Sequence, residues 1–160
     1  MRHLVALLTH KPTARINPLI GDLYGFLVQE KMEEVVNVLT NIISGIPYPL
    51  HIEDEKFYHS LLQTIFSAAG IDVQSERMTS IGRMDLVLEL PSILYIVEVK
   101  MKDSPAKGLE QIGTQKYHEP FLHKNKKVFA VGLSFIRKKT DKKKKETSDF
   151  VIKYATKKLK

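Results

Sequence analysis

Apolar residues recur at spacings of three and four from Asp22 to Ile46, where Leu23, Phe26 and Leu27 are followed by Val35, Val36, Val38, Leu39, Ile42 and Ile43. A helix that packs against a core needs this spacing, and Gly45 with Pro47 ends it. After Pro47-Tyr48-Pro49 the same period resumes: Asp54 is a natural N-cap, and Phe57, Tyr58, Leu61, Leu62, Ile65, Phe66 and Ala69 form one stripe that stops at Gly70. The period then changes. Ile71 to Glu76, Asp85 to Leu90 and Ile93 to Lys100 are rich in strand formers, and Pro91-Ser92 turns the second into the third as a hairpin. Ser104 and Pro105 open a further helix carrying Leu109, Gln111 and Ile112, which stops by Pro120. The apolar run Lys127 to Phe135 predicts a strand buried on both faces, and Phe150 to Tyr154 an edge strand. From Phe57 onward the order is α, β, β, β, α, β, then β: an α/β sandwich of about four to five strands flanked by helices, preceded by a helical extension. The division this suggests is 1–50 for the extension and 51–160 for the α/β part.

The hairpin arithmetic raises a chemical question. With Pro91-Ser92 at the centre of a two- or four-residue loop, cross-strand partners have numbers summing to 183, so Asp85 faces Glu98. Facing side chains stand ~4.5 to 5.5 Å apart at Cβ, and like charges there are destabilising. Lys100, two residues beyond Glu98, projects from the same strand face. A three- or five-residue loop would shift the register by one and send the carboxylates to opposite faces unless a bulge restored them. In the first case two carboxylates with a neighbouring backbone carbonyl make a hard oxygen site suited to Mg²⁺ (or Mn²⁺). A lysine beside them can orient water and stabilise charge on a phosphate. That is the outline of a phosphodiester hydrolysis centre.

Composition narrows the classes. The 160 residues contain no Cys, which excludes a disulfide scaffold, a thiolate metal site and a cysteine nucleophile. No apolar run reaches the ~18 residues of a membrane span, and His10 and Lys11 end the apolar start of the chain with no small-residue cleavage site after it. A cytoplasmic protein without membrane contact is expected. Neither phosphate-cradling glycine motif is present. The net charge of +7 is uneven: residues 1 to 135 carry 14 basic and 15 acidic side chains, residues 136 to 160 carry 11 and 3. The excess sits in Arg137, Lys138, Lys139, Lys142, Lys143, Lys144 and Lys145, a run able to track a nucleic-acid backbone or to serve as a solvated loop. No aromatic residue interleaves it for base stacking.

The ordered motifs resemble a known family. Glu55 to Leu62 (Glu-x-Phe-Tyr-His-x-Leu-Leu), Gly82-Arg83-Met84-Asp85, Glu98-Val99-Lys100, Leu109 to Ile112 (Leu-Glu-Gln-Ile) and Tyr117 to Phe121 occur in the order of the PD-(D/E)xK nuclease superfamily. They are most similar to the nuclease-like domain at the C-terminus of AAA-ATPase-like proteins. The resemblance covers about residues 50 to 135 and implies a restriction-endonuclease-like core. It further implies Asp85, Glu98 and the Val99 carbonyl as metal ligands, Lys100 as the water-activating cation, and Glu55 and Gln111 as auxiliary groups. Two positions depart from the pattern: Met84 stands where the superfamily places Pro, and the tyrosine expected four residues after Gln111 is Gln115, with Tyr117 six residues on.

Bland readings stand beside these. Glu55 could be a first-turn acid favoured by the helix dipole, and Arg83 could contact phosphate or pair with Glu76 or Glu98. The histidines lack metal-ligand spacing, although His59, one turn after Glu55, can line the cleft. Three functions stay open: a Mg²⁺-dependent nuclease acting on DNA, a nucleic-acid-binding module with an idle site, and an interaction domain engaging a protein partner through residues 1–47. A homodimer would suit cleavage of two strands.

Overall fold

A computed structural model describes residues 13–46, 50–78, 82–137 and 150–160. Helices α1 (Thr13–Val28), α2 (Met32–Ile43) and α3 (Glu55–Ala68) precede strands β1 (Asp72–Met78), β2 (Arg83–Glu89) and β3 (Ile93–Met101). Helix α4 (Pro105–Thr114) and a short 3-10 turn (Glu119–Phe121) lead to β4 (Lys127–Arg137) and β5 (Phe150–Lys158). The predicted order holds. No helix among the described residues is long and apolar enough to cross a membrane.

The apolar stretch expected as one helix from Asp22 is two. Helix α1 begins nine residues earlier and ends at Val28, and Glu30 takes a left-handed φ of 60°. Lys31 N–H reaches back to the Phe26 carbonyl at 2.9 Å and Glu30 N–H to that of Leu27 at 3.2 Å, the double bond of a Schellman cap. Helix α3 ends the same way at Gly70 (φ 81°) and α4 at Lys116 (φ 50°). Only the glycine-bearing cap is readable from sequence; a Glu or Lys in the same conformation gives no signal. The Leu27 carbonyl also accepts from the buried Tyr95 hydroxyl at 2.7 Å, which ties the end of α1 to the middle of the sheet. Burial, with the charge of Glu30 nearby, pushes the Tyr95 hydroxyl up to about 12, so it remains a donor.

The five strands lie in sequence order, antiparallel except where α4 carries the chain from β3 to a parallel β4. The β2–β3 register pairs Leu86 with Val97 and Glu89 with Leu94, so the partner sum is the expected 183. The connection is a two-residue Pro91-Ser92 loop closed by Leu90 N–H to the Ile93 carbonyl at 2.9 Å. Neither residue has positive φ, so the turn is not one of the primed types that would have excluded Pro91. On one face Leu86, Leu88, Tyr95, Val97, Leu133 and Phe135 pack against α1, α2 and α3. On the other, Val87, Leu94, Ile96, Val128 and Ala130 pack against Ile112, Tyr117 and Phe121. Strand β3 is buried on both sides from Ile93 to Val99, as a central strand should be.

Two glycines set how closely α4 lies on the sheet. Gly132, partner of Glu98 in the parallel ladder, faces the start of α4, where an added Cβ would sit 2.0 Å from the Pro105 carbonyl oxygen. Gly108 faces it from the helix, with a Cβ position 3.0 Å from the Gly132 Cα and 3.4 Å from the Glu98 Cβ. Gly132→Ala is therefore expected to lower unfolding free energy by about 1–3 kcal/mol, the usual cost of overpacking, because backbone and not a flexible side chain must move. Urea titration of the two proteins measures this directly.

Candidate functional site

The site forms where β2 and β3 part. Past Leu86↔Val97 the β2–β3 ladder stops, which leaves backbone N–H groups of β3 in need of acceptors. Carboxylates supply them: Asp85 Oδ2 accepts from Val99 N–H at 2.9 Å, and Glu55 Oε1 from Met101 N–H at 3.1 Å. Glu55 stands in the first turn of α3 because Asp54 caps that helix, its side chain accepting from Lys56 N–H at 2.9 Å. Next to it, Glu53 pairs with Lys102 just beyond the end of β3. Helix α3, β2 and the end of β3 are thus joined through the acidic groups themselves.

Glu98 is the buried member, 2% exposed. Its Oε1 is 3.2 Å from Lys100 Nζ, while its Oε2 is buried without a hydrogen-bond partner. Burial foremost, then the nearby Asp85 charge, pushes the Glu98 carboxyl up to about 7 against the opposing pull of Lys100; Glu55 adds a smaller push in the same direction. The ladder that would set Asp85 directly opposite Glu98 ends one pair short, at Leu86↔Val97; the Asp85 charge still acts on Glu98, and Lys100 lies beside Glu98.

Two clefts meet at Glu55. One, of about 160 Å³, is lined by Glu55, His59, Glu76, Arg83 and Asp85. The other, of about 490 Å³, is lined by Glu55, Lys100, Lys107, Gln111, Thr114 and Gln115. Gln111 therefore faces the same space as Lys100, as does Gln115, whose Oε1 is buried without a partner. Arg83 pairs with Glu76 at 3.6 Å, both half exposed, so of the two acidic partners its position left open the structure shows Glu76. The Val99 contact with Asp85 is made by its N–H. Tyr117 is buried and its hydroxyl donates to the Arg83 carbonyl at 2.9 Å, next to Gly82, where a Cβ would lie 2.8 Å from that hydroxyl. Gly82 and Tyr117 thus seat the start of β2. Lys138 to Lys145 lie outside the described residues, and Arg137 enters only as the backbone end of β4.

A profile of the PD-(D/E)XK nuclease superfamily matches residues 53–145, more than half of the chain and the span that holds all of these acidic groups. The chain belongs to this superfamily. Its mixed five-stranded sheet with flanking helices is the restriction-endonuclease-like α/β core of such nucleases, carried here with an N-terminal helical part. The PD-(D/E)XK chain is also 26% identical over 124 residues to an uncharacterized protein encoded in the vnfD 5′ region of Azotobacter chroococcum mcd 1. That match covers 73% of this chain and only 24% of the relative, so the chain spans about a quarter of the relative's length. No solved structure matches it.

The donor set of this PD-(D/E)XK site can be tested against a metal. Among the described residues no three His, Asp or Glu side chains cluster as an all-protein cage. A Mg²⁺ ion does not need one, because it keeps several waters and takes one or two carboxylates. The unpartnered Oε2 of Glu98 and the second carboxylate oxygen of Asp85 supply such a pair, so the residues fit. Glu98 without a cation is a buried, crowded charge, and Glu98→Gln is expected to raise unfolding free energy by roughly 1 kcal/mol, as relieving a strained site commonly does. Thermal melts at pH 8 in chelator measure the difference; a less stable Gln variant would contradict this electrostatic picture.

Proposed function

We propose that this chain is a divalent-metal-dependent nuclease, using Mg²⁺ or Mn²⁺ to hydrolyse phosphodiester bonds in DNA. The observation that carries the reading is the buried, unpartnered Oε2 of Glu98 beside Asp85 and Lys100, in a chain of the PD-(D/E)XK nuclease superfamily. Asp85 and Glu98 would hold the ion, with the Val99 carbonyl as a third oxygen. When bound, the ion supplies a polarised phosphoryl oxygen and an acidified water.

The chain's own residues do the remaining work. Lys100, held by Glu98 at 3.2 Å, points an ammonium at the cleft, where it orients the attacking water and offsets charge that grows on the phosphate oxygens. Glu55, already anchored by Met101 N–H, orients water from the α3 side. Gln111 donates from α4 to the scissile phosphate or its neighbour. The site is acidic around these groups, so affinity for the polyanion must come from elsewhere. Arg137, Lys138, Lys139 and Lys142 to Lys145 provide it, with Arg83 at the rim. The motif order resembles domains that end AAA-ATPase-like proteins, and the far longer Azotobacter relative supports reading this unit as a module used within larger assemblies.

Linear, nicked, circular and single-stranded DNA incubated with Mg²⁺ or Mn²⁺ tests the activity. Wild type is expected to cut at least one form, and Asp85→Ala and Lys100→Met to lose about 10²-fold or more of the rate, the scale of removing one preorganised charge. Equal cleavage by wild type and Asp85→Ala would refute the assignment. Converting Lys142 to Lys145 together to Gln is expected to weaken DNA binding and to flatten the log–log salt dependence by up to about 0.9 for each phosphate that these lysines neutralise. Filter binding across a salt series reads that slope, and an unchanged slope removes the tail from the interface.

A further inference from the structure

Asp85 is held in an unusual way. The β1–β2 ladder pairs Ser75 with Leu86 and Arg77 with Met84 but skips Glu76 and Asp85, and Glu76 takes a φ of 51°. On its other side the β2–β3 ladder has ended at Leu86↔Val97. Neither ladder contains Asp85 among the described residues. Met84 also packs with Val87 and not with Leu86 and Leu88, so the alternation of β2 breaks at this residue. Asp85 thus has no ladder partner of its own, although Met84 and Leu86 on either side of it do.

Two hydrogen bonds replace the ladders. One is Val99 N–H to the carboxylate; the other joins the Asp85 carbonyl oxygen to His59 Nε2 at 2.7 Å, across 26 residues of sequence. A carbonyl only accepts, so Nε2 carries the proton. His59 is 8% exposed and sits one helical turn after Glu55 on α3, which the core residues Tyr58, Leu62 and Ile65 hold in place. The imidazole therefore links helix α3 to the backbone of a residue that has no ladder partner of its own.

From this we infer that His59 is a positioning residue: its Nε2–H clamps the Asp85 backbone, so that the Asp85 carboxylate meets Val99 N–H on one side and the Glu98 carboxylate on the other. Its geometric part stands on the contacts alone, and its consequence for a cation rests on the metal-centre reading above. His59 works through Asp85 and takes no ligand itself. Any side chain that places an N–H at the Nε2 position should serve, and an apolar side chain of similar volume should not.

The test compares His59→Gln, which keeps an amide N–H at that reach, with His59→Phe and His59→Leu, which do not, two apolar variants guarding against one that fails to fold. Amide hydrogen exchange followed by NMR in chelator reads the clamp without metal. In the apolar variants the Val99 amide is expected to exchange at least about tenfold faster relative to the Val97 and Val131 amides, and in the Gln variant to stay within about threefold of wild type. Free Mn²⁺ counted by EPR reads the consequence: the apolar variants should bind about tenfold or more weakly, and Gln near wild type, the usual reach of an outer-shell hydrogen bond. A Val99 amide unmoved in the apolar variants, or Gln and apolar variants that lose protection alike, overturns the inference. Wild type that binds no Mn²⁺ overturns the metal reading, while the exchange comparison still decides the role of His59.

Discussion

Backbone hydrogen bonding at the fork between β2 and β3 governs the shape of this molecule's acidic centre. Two neighbouring strands that diverge expose N–H groups, and burial forbids leaving them unpaired. Here Val99 and Met101, alternate residues of β3, donate to Asp85 and Glu55. The same carboxylates that crowd Glu98 are thereby part of the sheet's own bonding. Glu98 Oε2 itself is buried without a hydrogen-bond partner. The fork joins α3, β2 and β3 at one point, and α4 closes the remaining side because Gly132 and Gly108 allow backbone to approach backbone.

Charge is distributed so that two tasks are separated. Within the cleft Lys100 answers Glu98, and Arg83 answers Glu76. Away from it Glu89 is held ionised, its carboxyl below the usual range because Lys124 and then Lys126 donate to it. Much of the body's positive charge is thus committed to ion pairs, in keeping with its nearly balanced count. The excess of Lys and Arg falls after residue 135. An acidic centre repels phosphate, and under the proposed nuclease reading the basic segment would offset that repulsion.

Superfamily membership accounts for the core and for the acidic groups that the profile spans. The site itself holds a buried carboxylate with a raised pKa, a second carboxylate whose charge adds to that rise and a lysine within hydrogen-bond reach. Such groups cost stability and are kept where they bind or react.

The order of elements and the β2–β3 register were legible in the sequence because both depend on local rules. Period two against period three and four separates strand from helix, Asp54 and Gly70 mark the ends of α3, and a two-residue loop at Pro91-Ser92 fixes which residues face each other. Glu98 and Lys100 on one strand face follow from the same alternation. Other features were decided only by contacts between distant residues. The break after Val28 uses a left-handed Glu30 where no glycine announces it, supported by Tyr95 from the sheet. Glu76 leaves the ladder opposite Asp85, His59 reaches the Asp85 carbonyl, and Gly132 meets Pro105. These contacts join separate elements, and each depends on how the helices and strands pack together. Sequence alone pointed to the acidic and basic side chains that gather at the fork; tertiary structure determined what holds them still, because a hydrogen bond across the fold has no period along the chain.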